Sequence, residues 1–313
     1  MIEIVPVIAA LLITFSIGSN DTSNSFGLCI GCRVIDFKKA TFLLLFFATL
    51  GIFLQGHSVM KTVGKDLVET NYEISTLALV ISALIIVSSN FRGFPVSTHQ
   101  VIVGSVAGAG LAYGMGVDLT VLNKIVLSWV LSPLAAGAIS VVTFFTLEKV
   151  FRRLSFLELD RILKVLLLIS AMLIAYNTGA NELATAIAPV VHAGSLGFPL
   201  AAIFGVLMLW LGAFLLSHRV IETVCKGITP LDPKSGFSAH FGAGISVLVF
   251  TTLGMPISTT YCMIGGIASV GFAKSVRAVR IETLKRVILN FVTVPIIAFT
   301  ATFSVSMLVI NFL

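Results

Sequence analysis

The sequence predicts an all-α, polytopic membrane protein of two inverted-topology repeats, with broken helices or re-entrant hairpins meeting at a central site. Three observations carry that prediction. Of 313 residues 57% are apolar and 11% charged, against roughly 25% charged in soluble globular chains, and the mean hydropathy is +1.07. Apolar runs alternate with short segments in which Lys and Arg gather, as at membrane crossings and their flanks. Landmarks of the first half also return in the second at one fixed offset, the mark of a duplicated unit.

The offset is read most easily from two motifs. Gly18-Ser19-Asn20-Asp21 is echoed by Gly179-Ala180-Asn181-Glu182, a shift of 179 − 18 = 161 residues. Gly93-Phe94-Pro95-Val96-Ser97-Thr98 is echoed by Gly254-Met255-Pro256-Ile257-Ser258-Thr259 at the same shift, and Gly104 and Gly110 by Gly265 and Gly271. Pro133 and Pro295 differ by 295 − 133 = 162, so one residue has been inserted late in the unit. The halves are therefore 1–148 and 164–313, joined by a short basic linker at 149–163 that is expected in the cytoplasm.

In chain order, apolar runs occur at about 4–32, 40–56, 74–90, 96–116 and 124–147, then at 164–191, 198–217, 241–255, 257–272 and 286–310. Each half thus offers five. At about 20 residues per crossing, 4–32 is too long for one straight span and 257–272 is short for one. The first run, without a basic n-region or cleavage site before it, reads as a retained span and not a signal peptide. Irregular backbone is expected near the motifs, where protein or a water-filled cavity must surround it.

An odd number of crossings per half inverts the second half, and the loop charges agree. Loop 33–39 holds Arg33, Lys38 and Lys39 while its mate 192–199 holds no Lys or Arg; loop 114–124 holds only Lys124 while its mate 273–286 holds Lys274, Arg277, Arg280, Lys285 and Arg286. Placing 33–39, 149–164, 218–240 and 273–286 inside leaves Lys61, Lys65 and Lys124 outside, with Arg92 near a cytoplasmic hairpin end. Both termini then face out of the cell. The net charge of +6 belongs to these flanks; no basic face with interleaved aromatics suggests nucleic acid. Cys29 and Cys32 have redox-type spacing but sit in an apolar run without a second pair, and read as packing residues.

The chemistry follows from what the motifs place at membrane depth. Seven of the ten residues from Gly18 to Gly27 are polar, and no Lys or Arg precedes Cys32, so Asp21 needs a cation, a proton or a polar partner from elsewhere. Inverted-repeat transporters keep their ligands near the midplane between broken helices. Pro95 and Pro256 suit the first turns of new half-helices. Ser97, Thr98, Ser258, Thr259 and Thr260 then stand beside unpaired N–H groups and the positive dipole end, an anion site. Asn20, Asp21, Asn24, Asn181, Glu182 and Thr185 offer the oxygen ligands that hard cations prefer. Two acids beside an anion would each repel it by about 3 kcal/mol at about 6 Å and an effective dielectric near 20. Cations or protons must therefore neutralise them, which couples the two ligands reciprocally.

These motifs resemble the repeated signature of the inorganic phosphate transporter (PiT) family, and the resemblance covers almost the whole chain. Gly18-Ser19-Asn20-Asp21 looks like the family's first GAND motif with Ser for Ala, and Gly179-Ala180-Asn181-Glu182 like the second with Glu for Asp. Pro95-Val96-Ser97-Thr98-His99 carries His where a second Thr is common, while Pro256-Ile257-Ser258-Thr259-Thr260 keeps both. The resemblance implies a sodium- or proton-coupled symporter of the cell membrane, not an enzyme, that takes up inorganic phosphate by alternating access. It implies Na⁺ at Asn20, Asp21, Asn181 and Glu182 as coupling ion, phosphate on the Ser/Thr residues, no further cofactor, and a homodimer in the lipid bilayer. A sulfate permease and an H⁺-coupled anion symporter of the same fold are the alternatives, ahead of an anion channel.

Other residues have plainer readings. Thr22, Ser23 and Ser25 can serve the site or bond their own backbone. Gly104, Gly108, Gly110, Gly265, Gly266 and Gly271 allow close helix packing. His99 touches the site or packs beside it, and His57, His192, His218 and His240 read as structural or solvated near membrane edges. Trp129 and Trp210 read as packing or interface residues.

Overall fold

The computed structural model describes residues 4–91, 96–227, 233–274 and 281–312, and every regular element among them is helical. Arg92, the Gly93-Phe94-Pro95 start of the first turn, Arg277 and Arg280 lie outside the described residues. The first half holds α1 (Ile4–Gly31), α2 (Phe37–Lys61) continued by a π-helical turn (Thr62–Asp66), α3 (Tyr72–Phe91), α4 (Thr98–Ala112) and α5 (Leu119–Val150). The second holds α6 (Phe156–Asn177), a π-helical segment (Thr178–Leu183), α7 (Ala184–His192), α8 (Phe198–Gly227), α9 (Pro233–Thr252), α10 (Thr259–Lys274) and α11 (Ile281–Phe312).

Short polar loops start these helices by capping. Asp36 accepts from Lys39 N at 2.8 Å at the start of α2, and Asp118 accepts from Thr120 N and Val121 N at the start of α5. Ser155 and Glu158 form a capping box on α6. Donated backbone N–H groups hold the Asp36 and Asp118 carboxyls below their ordinary values.

Helix starts obey the sequence offset. Phe37 and Phe198, Tyr72 and Pro233, and Thr98 and Thr259 open α2 and α8, α3 and α9, and α4 and α10, each pair separated by 198 − 37 = 233 − 72 = 259 − 98 = 161 residues. Contacts between the halves are exchanged in the same way. A Cβ on Gly18 would collide with the Leu209 carbonyl and one on Gly179 with that of Ala48; Gly212 faces Phe15 O and Gly51 faces Tyr176 O; Gly104 faces Pro295 O and Gly265 faces Pro133 O. In each pair the two contacts trade halves, as between parts related by a two-fold axis. The helices touch backbone to backbone there, which only glycine permits and which membrane interfaces favour.

Among the described residues, six helices are long and apolar enough to cross a membrane: α1, α2 with its π turn, α3, α5, α8 up to His218, and α11 from Leu289. Their outer faces carry Leu54, Leu134, Val142 and Leu289, all more than 60% exposed, as a hydrocarbon solvent allows. Between them, α4 is buried along His99 to Gly110, and at 15 residues it reaches only about 22 Å of a core about 30 Å thick. The expected irregular backbone is present at Val96-Ser97 and at Leu253 to Ser258.

It is not present in the first motif. α1 runs unbroken for 28 residues, about 42 Å at 1.5 Å per residue, long enough to cross only with tilt. The cause is local: Ser19, Thr22, Ser23 and Ser25 each return their hydroxyl to a carbonyl three or four residues back. The polar residues are thereby satisfied within the helix and do not interrupt it. The second motif departs instead, as the π-helical segment Thr178–Leu183, a local widening often found where function sits.

Candidate functional site

Four segments converge inside the bundle: the polar stretch of α1, the π-helical second motif, and the first turns of α4 and α10. Asn24 joins two of them, its Nδ2 donating to Asp21 Oδ1 at 2.9 Å and to Thr260 Oγ1 at 2.8 Å. Glu182 ties the second motif to the same two. It is 3% exposed, lies against Thr259 of α10, and brings its carboxyl within hydrogen-bonding reach of Asp21. His99, on the first turn of α4, is buried against Asn181.

Asn181 holds the second turn in shape. Its Nδ2 donates to Thr251 Oγ1 at 2.7 Å and Met255 O at 2.9 Å, while its Oδ1 accepts from Ile257 N at 3.1 Å. One amide hydrogen and one oxygen lone pair are thus committed to the backbone around Pro256, and the other hydrogen to the Thr251 hydroxyl of α9. Thr185 is buried and donates to Asn181 O at 2.8 Å, so its oxygen can only accept from or coordinate a further group. Asn20 is half-buried and its side chain bonds no other described residue.

The two serine-threonine turns are built alike. Ser97 is the N-cap of α4 in an extended conformation, without a side-chain capping bond. Its hydroxyl is buried and unpartnered, as are the Thr259 hydroxyl and one Glu182 oxygen. Ser258 Oγ receives only a long bond of 3.4 Å from Tyr261 N. Thr98 and Thr260 are partly exposed. The first intrahelical N–H bonds reach back from Val101 to Ser97 O and from Cys262 to Ser258 O, so the N–H groups of the preceding first-turn residues have no helical acceptor. Unpartnered hydroxyls and free N–H groups at two helix N-termini make a cradle for an oxyanion. Buried polar atoms without partners cost about 1–3 kcal/mol each, so a ligand that supplied partners would be favoured there.

The sequence reading missed several contributors. His240 is fully buried, not near an edge: α9 begins at Pro233, two turns earlier. Its ring bridges Asn24 O at 2.8 Å and Ser170 Oγ at 3.1 Å. Its one signal in the sequence is its place among the small residues Ser238, Ala239 and Gly242, spaced as on a buried helix. Tyr261 OH donates to Gln100 Oε1 at 3.3 Å, linking positions that differ by 161 residues. Trp129 Nε1 donates to Pro256 O at 2.7 Å, so it does more than pack. The other histidines behave as expected of surface or packing residues, His57 against Phe198, His218 against Phe37 and His192 over its own turn.

Comparison with known proteins agrees with this geometry. A family model described as the phosphate transporter family matches residues 17–302. A protein of Methanocaldococcus jannaschii named as a phosphate permease is 33% identical over 97% of this chain and 96% of its own length. The sulfate permease CysP of Bacillus subtilis is 31% identical over 87% of this chain and 78% of its own. A solved structure described as the sodium-dependent phosphate transporter superposes with a TM-score of 0.87 at 25% identity, covering 100% of both chains.

Proposed function

The chain belongs to the phosphate transporter family, and from that premise we propose that it imports inorganic phosphate by symport with a cation, Na⁺ ahead of H⁺, through alternating access. The family consists of transporters, so the site binds and releases a ligand and performs no enzymatic step. The observation that carries the proposal is the convergence of two acids, Asp21 and Glu182, on the hydroxyl-lined first turn of α10.

In this reading Ser97, Thr98, Ser258, Thr259 and Thr260, with the free N–H groups of α4 and α10, hold phosphate. Asp21, Glu182, Asn20, Asn24, Asn181 and Thr185 hold the cation, which offsets the charge of the acids before the anion settles. Each ligand raises the other's affinity by the same factor, since coupling free energies are reciprocal. Conformations open to either side then carry both together. The reciprocal glycine contacts support two repeats, 1–148 and 164–313, inverted about an axis in the membrane plane. The protein works as a homodimer in the cell membrane, its termini outside and the basic linker 149–163 inside.

Relatives named for phosphate and for sulfate both align with the chain, so the substrate has to be argued from the site. Near neutral pH phosphate keeps an acidic hydrogen and sulfate has none. A buried, unpartnered Glu182 oxygen accepts that hydrogen, whereas sulfate would set lone pair against lone pair. Sites built to receive a substrate hydrogen reject the analogue that lacks it by several orders of magnitude. The test is uptake of labelled phosphate into proteoliposomes under Na⁺ or choline gradients, with sulfate as competitor. Saturable, Na⁺-driven uptake that sulfate does not inhibit is expected; preferential sulfate uptake would overturn the substrate, and uncoupled, non-saturating flux would indicate a channel.

A further inference from the structure

Trp129 on α5 is the side chain best placed to act on the anion site without touching the anion. Its indole N–H donates to Pro256 O at 2.7 Å, across 127 residues of sequence, in the extended segment that ends in Ser258 and Thr259. The residue is 4% exposed. Its ring meets that of Phe291 edge to face, at 6.2 Å between centroids and 86° between planes, and Phe291 in turn lies 5.9 Å from the Tyr261 ring. Tyr261 closes the chain of contacts, its N–H directed at Ser258 Oγ and its hydroxyl at Gln100 Oε1 on α4.

A cleft of about 330 Å³ opens among α4, α5 and α11, bounded by Trp129, Phe291, Gly104, Pro295 and Phe299. The cleft opens to the outer, apolar surface of the bundle, where Val126, Val292 and Ile296 are exposed. A rigid donor on the second anion turn suits a segment that must keep its shape while ligand is bound.

We propose that Trp129 is a positioning residue of the anion site: its N–H fixes the Pro256 carbonyl and thereby aims the Ser258 and Thr259 hydroxyls and the first N–H groups of α10. The proposal rests on the reading of that turn as a phosphate site. Trp129 is a neutral hydrogen-bond donor, so its effect falls on anion affinity and not on the charge that couples the cation.

The chain has two tryptophans, so Trp210→Phe leaves Trp129 as sole indole. In purified full-length protein of that variant, inorganic phosphate added in Na⁺ should change the indole emission, saturating over the concentration range that saturates uptake. Trp129→Phe, which keeps a ring and removes the donor, should raise the phosphate KM roughly 2- to 10-fold, the range for one lost hydrogen bond. Maximal rate and Na⁺ dependence should stay near wild type, and the rise in melting temperature on adding phosphate should shrink. A merely structural tryptophan would lower the ligand-free melting temperature and leave KM and the phosphate-induced rise alone. Unchanged KM in Trp129→Phe, or unchanged emission at saturating phosphate, overturns the proposal. Should Trp129→Phe fail to fold, the emission measurement decides alone. Absence of wild-type phosphate uptake would instead strike the substrate reading, so the two failures are distinguishable.

Discussion

Asn181 donates to Thr251 and Met255 and accepts from Ile257 N, whereas Asn20, 181 − 20 = 161 residues earlier, stays half-buried with its carboxamide bonded to no other described residue. The contrast extends to their surroundings. The second motif is fully buried from Thr178 to Leu183 and π-helical; the first is ordinary α-helix whose hydroxyls are tied to their own backbone. At the position equivalent to Thr251, the first half has Asn90, which donates to Ser16 and not to the motif asparagine. Two copies of one motif thus divide the work. The second frames its turn with hydrogen bonds, and the first leaves Asp21 and Asn20 partly exposed.

The largest effect is expected where the copies meet. Asp21→Asn and Glu182→Gln should each abolish or severely weaken Na⁺-coupled uptake while the protein still folds, because each removes one of the two charges the cation offsets. Uptake assays beside size-exclusion profiles check this, and wild-type cation dependence in both variants would remove the acids from the mechanism. Next come the hydroxyls. Ser97→Ala, Thr98→Val, Ser258→Ala and Thr259→Val should raise the phosphate KM by roughly 10- to 150-fold, the worth of about 1.5–3 kcal/mol for a hydrogen bond to a charged group. Equal losses on both turns would make the site two-sided; a loss confined to Ser258 and Thr259 would assign the anion to the framed half alone.

Stability separates the copies further. Asn181→Ala orphans Ile257 N in a buried place and Met255 O in a partly buried one, and should cost about 1–3 kcal/mol for the buried N–H and less for the carbonyl. Asn20→Ala should leave the melting temperature nearly unchanged and shift only the Na⁺ concentration for half-maximal uptake. Equal destabilisation by both would erase the distinction between frame and ion-facing copy. The smallest effect is expected at Thr22, whose hydroxyl serves its own helix. Thr22→Val should leave uptake kinetics near wild type, and a large rise in KM would bring that hydroxyl into the site.

The duplication made most of the architecture legible. Phe37 and Phe198, or Thr98 and Thr259, mark helix starts because the same local signals recur at the same spacing. Pro256 showed where backbone would leave helix, since the ring both lacks an N–H and restricts its predecessor. Other features depend on contacts between residues far apart in sequence. Nothing in Gly179-Ala180-Asn181-Glu182 announces a π-helical segment; there the Gly179 backbone packs against Ala48 and Asn181 reaches Thr251. The length of the 4–32 run argued for a break in α1, and hydroxyl back-bonding removes the need for one. His240 was misjudged because the apolar run was taken to start after it, although the helix starts at Pro233 and carries it into the core.

The central claim is that the cation makes the anion site habitable by offsetting Asp21 and Glu182. Isothermal titration of purified protein with phosphate, once in saturating Na⁺ and once in choline at the same pH and ionic strength, tests it directly. Binding should be much tighter in Na⁺, and the Na⁺ affinity should rise by the same factor when phosphate is present. Equal phosphate affinity in Na⁺ and in choline would contradict the claim.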